Sequence, residues 1–284
     1  MVLESVIIPS EMEKHPKRML IVGFIYSTIG LFLGLFIFGK YASLAGIFLT
    51  AMPLIVIIYR AIELEEQKDL EIHEEFSLMK EHKYIFFFFI FLFIGMVLAY
   101  SFWFSILPSG IVEKAFSSQI ETIEGITGGN INVAGYTYKA AALETILVNN
   151  FRVWFFCILF SFLYGGGAMF ILTWNASVIG VAVGNTFRSI VSSYAGADKY
   201  EILKNYFTAF PLSLSYMIHG IPEISAYFLG ALGGGIISVA VIKHEYDSKE
   251  FKHVLIDSLD LLLLSAIVLV VAALIEVYVT PLTL

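Results

Sequence analysis

An all-α fold, a polytopic transmembrane bundle of about seven spans with one broken or half helix, is what the sequence predicts, on three observations. Of the 284 residues 58% are hydrophobic and 14% charged, against about 25% charged in a soluble domain. The mean hydropathy is +0.84. Several apolar runs reach or approach the roughly 20 residues that cross a bilayer as helix. This composition describes an integral membrane protein.

In chain order, Met19–Phe38 and Ala42–Ile58 read as two spans joined by Gly39-Lys40-Tyr41, a turn short enough to make them an antiparallel hairpin. Lys14, Lys17 and Arg18 precede the first and Arg60 follows the second, so the positive-inside rule puts both ends, and the N-terminus, on the cytoplasmic side of the cell membrane. From Glu63 to Lys83 the composition turns charged, with good helix formers and neither Gly nor Pro. That predicts a cytoplasmic continuation of helix. Tyr84–Ile106 is a third span closed by Pro108, and Ser109–Leu143 is the largest non-cytoplasmic piece, with an amphipathic stretch over Ile111–Ile123 and a turn at Gly128-Gly129-Asn130. The N-terminal region, 1–142, thus holds three spans, an acidic loop at 61–83 and an ectoloop at 107–142. Each loop is a surface on which a cytoplasmic or an extracytoplasmic partner would dock.

The region 143–284 differs in kind, because its spans carry polar residues. Leu147–Leu163 opens with Asn149-Asn150-Phe151-Arg152, the Gly165-Gly166-Gly167 run permits a bend, and Phe170–Phe187 contains Asn175 and Asn185. Gly180 with Gly184 and Gly230 with Gly234 offer close packing to neighbouring helices and make a homodimer an open expectation. The run from Tyr206 to Ile242 is too long for one span, and Gly220 with Pro222 marks the expected break, since Gly ends helices and Pro starts them. His219 and Glu223 flank it. Ionisable groups at membrane depth point to function, and two readings stay open: the pair caps two helix ends, or it lines a site. Val254–Val277 is the last span.

Three of these pieces together resemble the stage II sporulation protein M family of multi-pass membrane proteins: the Asn149-Asn150 start of a span, the triple glycine followed by Asn175 and Gly180, and His219-Gly220-Ile221-Pro222-Glu223. The resemblance covers roughly Leu143 to Val241. It implies an all-helical membrane protein, and in spore-forming bacteria members of that family scaffold cell-wall hydrolases.

The sequence carries no phosphate-binding loop, no nucleophile elbow and no His-Glu-x-x-His pair, so the expectation is a protein that is not an enzyme and holds no cofactor. No metal site is expected, since His219 and Glu223 supply fewer ligands than a usual zinc site needs and Cys157 stands alone. No basic stripe suggests nucleic acid. The expected polar core is Asn149, Asn150, Arg152, Asn175, Asn185, His219 and Glu223, with Arg152 able to pair with Glu223 if their spans are neighbours. A scaffold would use these residues as interhelical hydrogen bonds, a transporter as the lining of a site for an ion or small polar solute at a broken helix.

Overall fold

The computed structural model describes residues 15–71, 75–127, 136–164, 167–193, 217–243 and 248–279. All regular structure among them is helical. In chain order the helices are α1 (Arg18–Phe38), α2 (Ala42–Glu71), α3 (Glu75–Ile106), α4 (Ser109–Ala115), α5 (Ser117–Thr127), α6 (Tyr136–Tyr164), α7 (Ala168–Ser193), α8 (Met217–Lys243) and α9 (Lys249–Tyr278). Six stretches are long and apolar enough to cross a membrane, and the first of them, Arg18–Gln67, is the α1–α2 hairpin. Its turn is one 3-10 segment, Gly39–Tyr41, entered through Gly39 at φ 52°, a conformation that costs glycine nothing. The acidic stretch continues as helix to Glu71, as its composition predicts.

The long helices form two groups around one continuous apolar core. In the first, α1 packs on α2 and α3, and α3 on α7. In the second, α8 packs on α6 and α9. Helix α2 also touches α8 and α9, and Phe228 of α8 stacks on Phe89 of α3 at 4.9 Å and lies edge-on to Phe93. Helix α7 therefore follows α6 in sequence but sits with the N-terminal helices.

Glycines set these contacts, because lipid gives no hydrophobic drive for helices to associate and close backbone approach must supply the attraction. A Cβ added at Gly180 would lie 2.7 Å from Tyr100 Cβ, and one at Gly184 would lie 3.0 Å from Phe104 Cβ, so α7 rests directly on α3. In the second group a Cβ at Gly230 would meet the Trp154 indole at 2.7 Å, and one at Gly234 the Ile158 carbonyl oxygen at 2.8 Å. Both glycine pairs predicted for close packing do pack closely. Gly167 opens the turn into α7, while Gly165 and Gly166 lie outside the described residues, as does the Gly128-Gly129-Asn130 turn.

One expectation is overturned within the described chain. Helix α8 runs from Met217 through Gly220 and Pro222 to Lys243 without interruption. Pro222 is the sixth residue of that helix, so it removes a single early hydrogen bond, a loss that membrane helices tolerate. Gly220 is buried with open space where a Cβ would stand. The half-helix expected upstream of that break, and the 194–216 link, lie outside the described residues.

The bundle has two distinguishable ends. At one, α4 and α5 lie across the tops of α1, α2, α3 and α7, burying Val112, Ala115 and Phe116. At the other, Lys243 closes α8 with ion pairs to Glu63 (3.0 Å) and Glu66 (3.3 Å) of α2. The Glu66 side chain is only 1% exposed there. Glu63 and Glu66 sit three apart and so share a helix face. At least this part of the acidic stretch is fastened to the bundle, and the side chains of residues 68–83 lie outside the described set.

Candidate functional site

Two polar assemblies are built into the bundle, one in each group. The first belongs to α2, α3, α5 and α7. Ser43 of α2 donates its hydroxyl to the Gln119 side-chain carbonyl at 2.7 Å, and the Gln119 amide donates to the Ser177 hydroxyl of α7 at 3.1 Å. The Ser118 backbone N–H donates back to Ser43 at 3.2 Å. Gln119 is 1% exposed, and Ser43 and Ser177 are buried as well. Deeper in the same group the Tyr100 hydroxyl donates to Thr50 at 3.1 Å, and the Trp103 indole N–H to Thr28 at 3.0 Å. Each large polar group finds a partner on a different helix, which is how buried polarity is made affordable in a water-free interior.

Two features explain why α5 seats there. Phe116, at the junction of α4 and α5, lies edge-on to Tyr100 and Phe104 and anchors the segment apolarly. Gln119, one turn on, is then carried between α2 and α7. At the rim, Arg188 of α7 donates to the Phe104 carbonyl oxygen at 3.0 Å and reaches Ser109 at 3.4 Å.

The second assembly belongs to α6, α8 and α9. Tyr227 donates its hydroxyl to Glu223, one turn earlier on α8, at 2.6 Å. Glu276 of α9 lies within electrostatic reach of both. Lower down, the Trp154 indole of α6 donates to Ser265 of α9 at 2.8 Å and Ser161 to the Ala231 carbonyl oxygen of α8 at 2.6 Å. Asn150, two turns before Cys157 on α6, is 4% exposed and accepts only the distant Asn149 amide at 3.4 Å. Its own Nδ2 has no hydrogen-bond partner among the described residues.

The predicted polar residues thus do not converge on one site. Asn150 and Glu223 share the second group. Asn175 is half-buried on α7 and donates to the Ile171 carbonyl of its own helix at 2.9 Å. Asn185 is exposed and lines an open groove of about 440 Å³ with Ser109, Glu113 and Arg188. The expected Arg152–Glu223 pair is absent among the described residues. Arg152 and Asn149 are exposed on the outer face of α6, whereas Glu223 turns to Tyr227, because successive residues of a helix point about 100° apart and only one face of α6 meets α8. The side chain of His219 lies outside the described residues. No group of three or more metal-ligating side chains occurs among the described residues.

Sequence reasoning missed Gln119 and its two serines, Tyr100 with Thr50, Trp154 with Ser265, and Glu276 with Glu223. Only Gln119 left a trace, as a polar residue within an amphipathic stretch of otherwise loop-like sequence. The small hydroxyls are silent, since Ser and Thr are common in membrane helices whether or not they bond across them.

Comparison with known proteins fits this architecture. The profile of the family described as Stage II sporulation protein M matches residues 84–281. That is well over half the chain, and it reaches back through the α4–α5 segment to α3 and forward through α9, beyond the Leu143–Val241 stretch on which the sequence resemblance rests. An uncharacterized protein of Methanocaldococcus jannaschii is 35% identical over 140 residues, covering 48% of this chain and 70% of its own. No solved structure matches. With α3, the cap and the C-terminal helices all inside the matched region, the chain is an integral membrane protein that belongs to the stage II sporulation protein M family.

Proposed function

We propose that this chain is a non-enzymatic scaffold that organises partner proteins at the cell membrane, with its N-terminus cytoplasmic. The observation that carries the reading is the Ser43–Gln119–Ser177 lock, in which the α4–α5 segment is bonded on both sides into the bundle through a Gln119 side chain excluded from solvent. Such a lock holds a presented surface in one orientation. The outward residues of that segment, Glu113, Lys114 and Glu121, are exposed and form the docking face for an extracytoplasmic partner. Family membership supports this, since members in spore-forming bacteria scaffold cell-wall hydrolases. The lysine and arginine distribution supports the orientation.

The test is charge reversal on that face, which leaves Gln119 in place. The double variant Glu113→Lys, Glu121→Lys should lose partners captured by cross-linking in intact cells while keeping the wild-type melting temperature. Undiminished capture would refute the docking face.

One observation favours a second reading, movement of an ion or small polar solute. Glu223 and Glu276 place two carboxyl groups within electrostatic reach of each other in the second group. Under that reading Glu223→Gln abolishes flux in proteoliposomes. Under the scaffold reading no flux occurs with either chain.

A further inference from the structure

The outer face of α6 carries charge where a membrane helix should be bare. Its apolar run is Leu147–Leu163, and Arg152 lies five residues inside it. Five residues are roughly 8 Å of helix, so the guanidinium starts inside the apolar layer on the α4–α5 side. Trp154, two residues on, touches Gly230 of α8 and bonds to Ser265 of α9, so the opposite face of α6 at this level is the one that meets the bundle. Yet Arg152 is exposed and has no hydrogen bond or ion pair to any described residue. An arginine at this depth normally faces the bundle interior or a partner, because lipid cannot solvate it.

Arg152 is the floor of a furrow. With Glu144, Thr145, Val148 and Asn149 it lines a depression of about 340 Å³ that climbs two turns of α6 toward the α4–α5 end of the bundle. Glu144, at the mouth, is exposed, and so is Asn149. Negative charge therefore sits at the membrane surface and positive charge about 12 Å of helix deeper. Below the furrow the exposed residues are Phe155, Phe156, Phe160, Phe162 and Leu163.

We propose that this furrow holds the head group of a phospholipid that carries both a phosphate and a primary amine. Arg152 and Asn149 donate to the phosphate, and Glu144 accepts from the amine, which in such a lipid lies on the water side of the phosphate. The order of charges along α6 is the order in the head group. Arginine snorkels upward and the local bilayer thins to meet it. The guanidinium offers the planar fork that phosphate oxygens match.

Two other occupants fit less well. Membrane helices associate through small residues, and the outer face of α6 presents phenylalanines instead, to which acyl chains conform and a helix does not. A second copy related by a two-fold axis would set Arg152 against Arg152. This inference stands apart from the scaffold reading and from the transport reading.

The experiment is native mass spectrometry of the full chain in detergent, titrated separately with phosphatidylethanolamine, phosphatidylcholine and phosphatidylglycerol. Wild-type chain should retain phosphatidylethanolamine at least tenfold more than Arg152→Gln does. Asn149→Leu, also on the exposed face, should lose about threefold. Glu144→Gln should retain phosphatidylglycerol unchanged while losing most of the preference for the amine-bearing lipid. Equal lipid retention by Arg152→Gln, Asn149→Leu and wild type overturns the proposal. So does a change of dimer fraction in lipid-free micelles, or loss of a co-purifying protein, if Arg152→Gln causes either with lipid retention unaltered. The first would assign the face to a second copy, the other to a partner.

Discussion

The group formed by α1, α2, α3 and α7 and the group formed by α6, α8 and α9 bury polar side chains in opposite ways. In the first, the amide of Gln119, the phenol of Tyr100 and the indole of Trp103 each bond to a hydroxyl on another helix. In the second, Trp154 bonds to a hydroxyl and Ser161 to a backbone carbonyl oxygen of another helix, but Asn150 Nδ2 has no partner among the described residues, Glu223 turns back to its own helix, and Arg152 faces outward. A buried polar group with a partner holds helices together, and one without a partner costs about 1–3 kcal/mol. Polarity is therefore structural in the first group and held in reserve in the second. On this contrast the α1–α2–α3–α7 side holds the α4–α5 segment in place, and the α6–α8–α9 side carries polar groups that do not tie helices together.

The sharpest way to break the contrast is steric. Gly180→Leu forces atoms into Tyr100 Cβ and the Val97 carbonyl oxygen, both fixed parts of α3, and should cost about 3 kcal/mol or more. Thermal unfolding in detergent should show loss of a cooperative transition; a wild-type transition would mean that α7 does not rest on α3. Smaller is the effect of Gln119→Leu, which removes two interhelical hydrogen bonds and leaves Ser43 and Ser177 facing an apolar group. A loss of about 2 kcal/mol is expected, with faster proteolysis of the α4–α5 segment. Limited proteolysis and the melting temperature together check it. The smallest shift tests the other group. Asn150→Leu replaces an unpartnered amide by an apolar side chain of similar size, so stability should stay level or rise by up to about 1 kcal/mol. A marked fall would show that Asn150 is bonded after all, and the two groups would then be alike.

The spans were legible because a run of twenty apolar residues has few other uses, and Gly180, Gly184, Gly230 and Gly234 were legible because a glycine repeated every fourth residue marks a face. The break at Gly220 and Pro222 was misread for a physical reason. Those residues interrupt helices in water, where exposed backbone finds other partners, but in a bundle the neighbours hold the helix straight through them. The Arg152–Glu223 pairing failed for another. Sequence shows that two charges share a depth, whereas the direction each faces depends on which side of α6 meets α8, and this is decided by Gly230 against Trp154. Gln119 was placed on an amphipathic stretch, but its seat between α2 and α7 depends on residues far apart in sequence and could not be read locally.

The position of α7 bears on how the chain is made. Helices α1, α2 and α3 cannot finish their assembly among themselves, because the helix that covers Tyr100 and receives Gln119 is translated only after α6. Until then their glycine-fitted groove stands open to lipid or to the translocon. A product that stops before α7 leaves that groove unfilled.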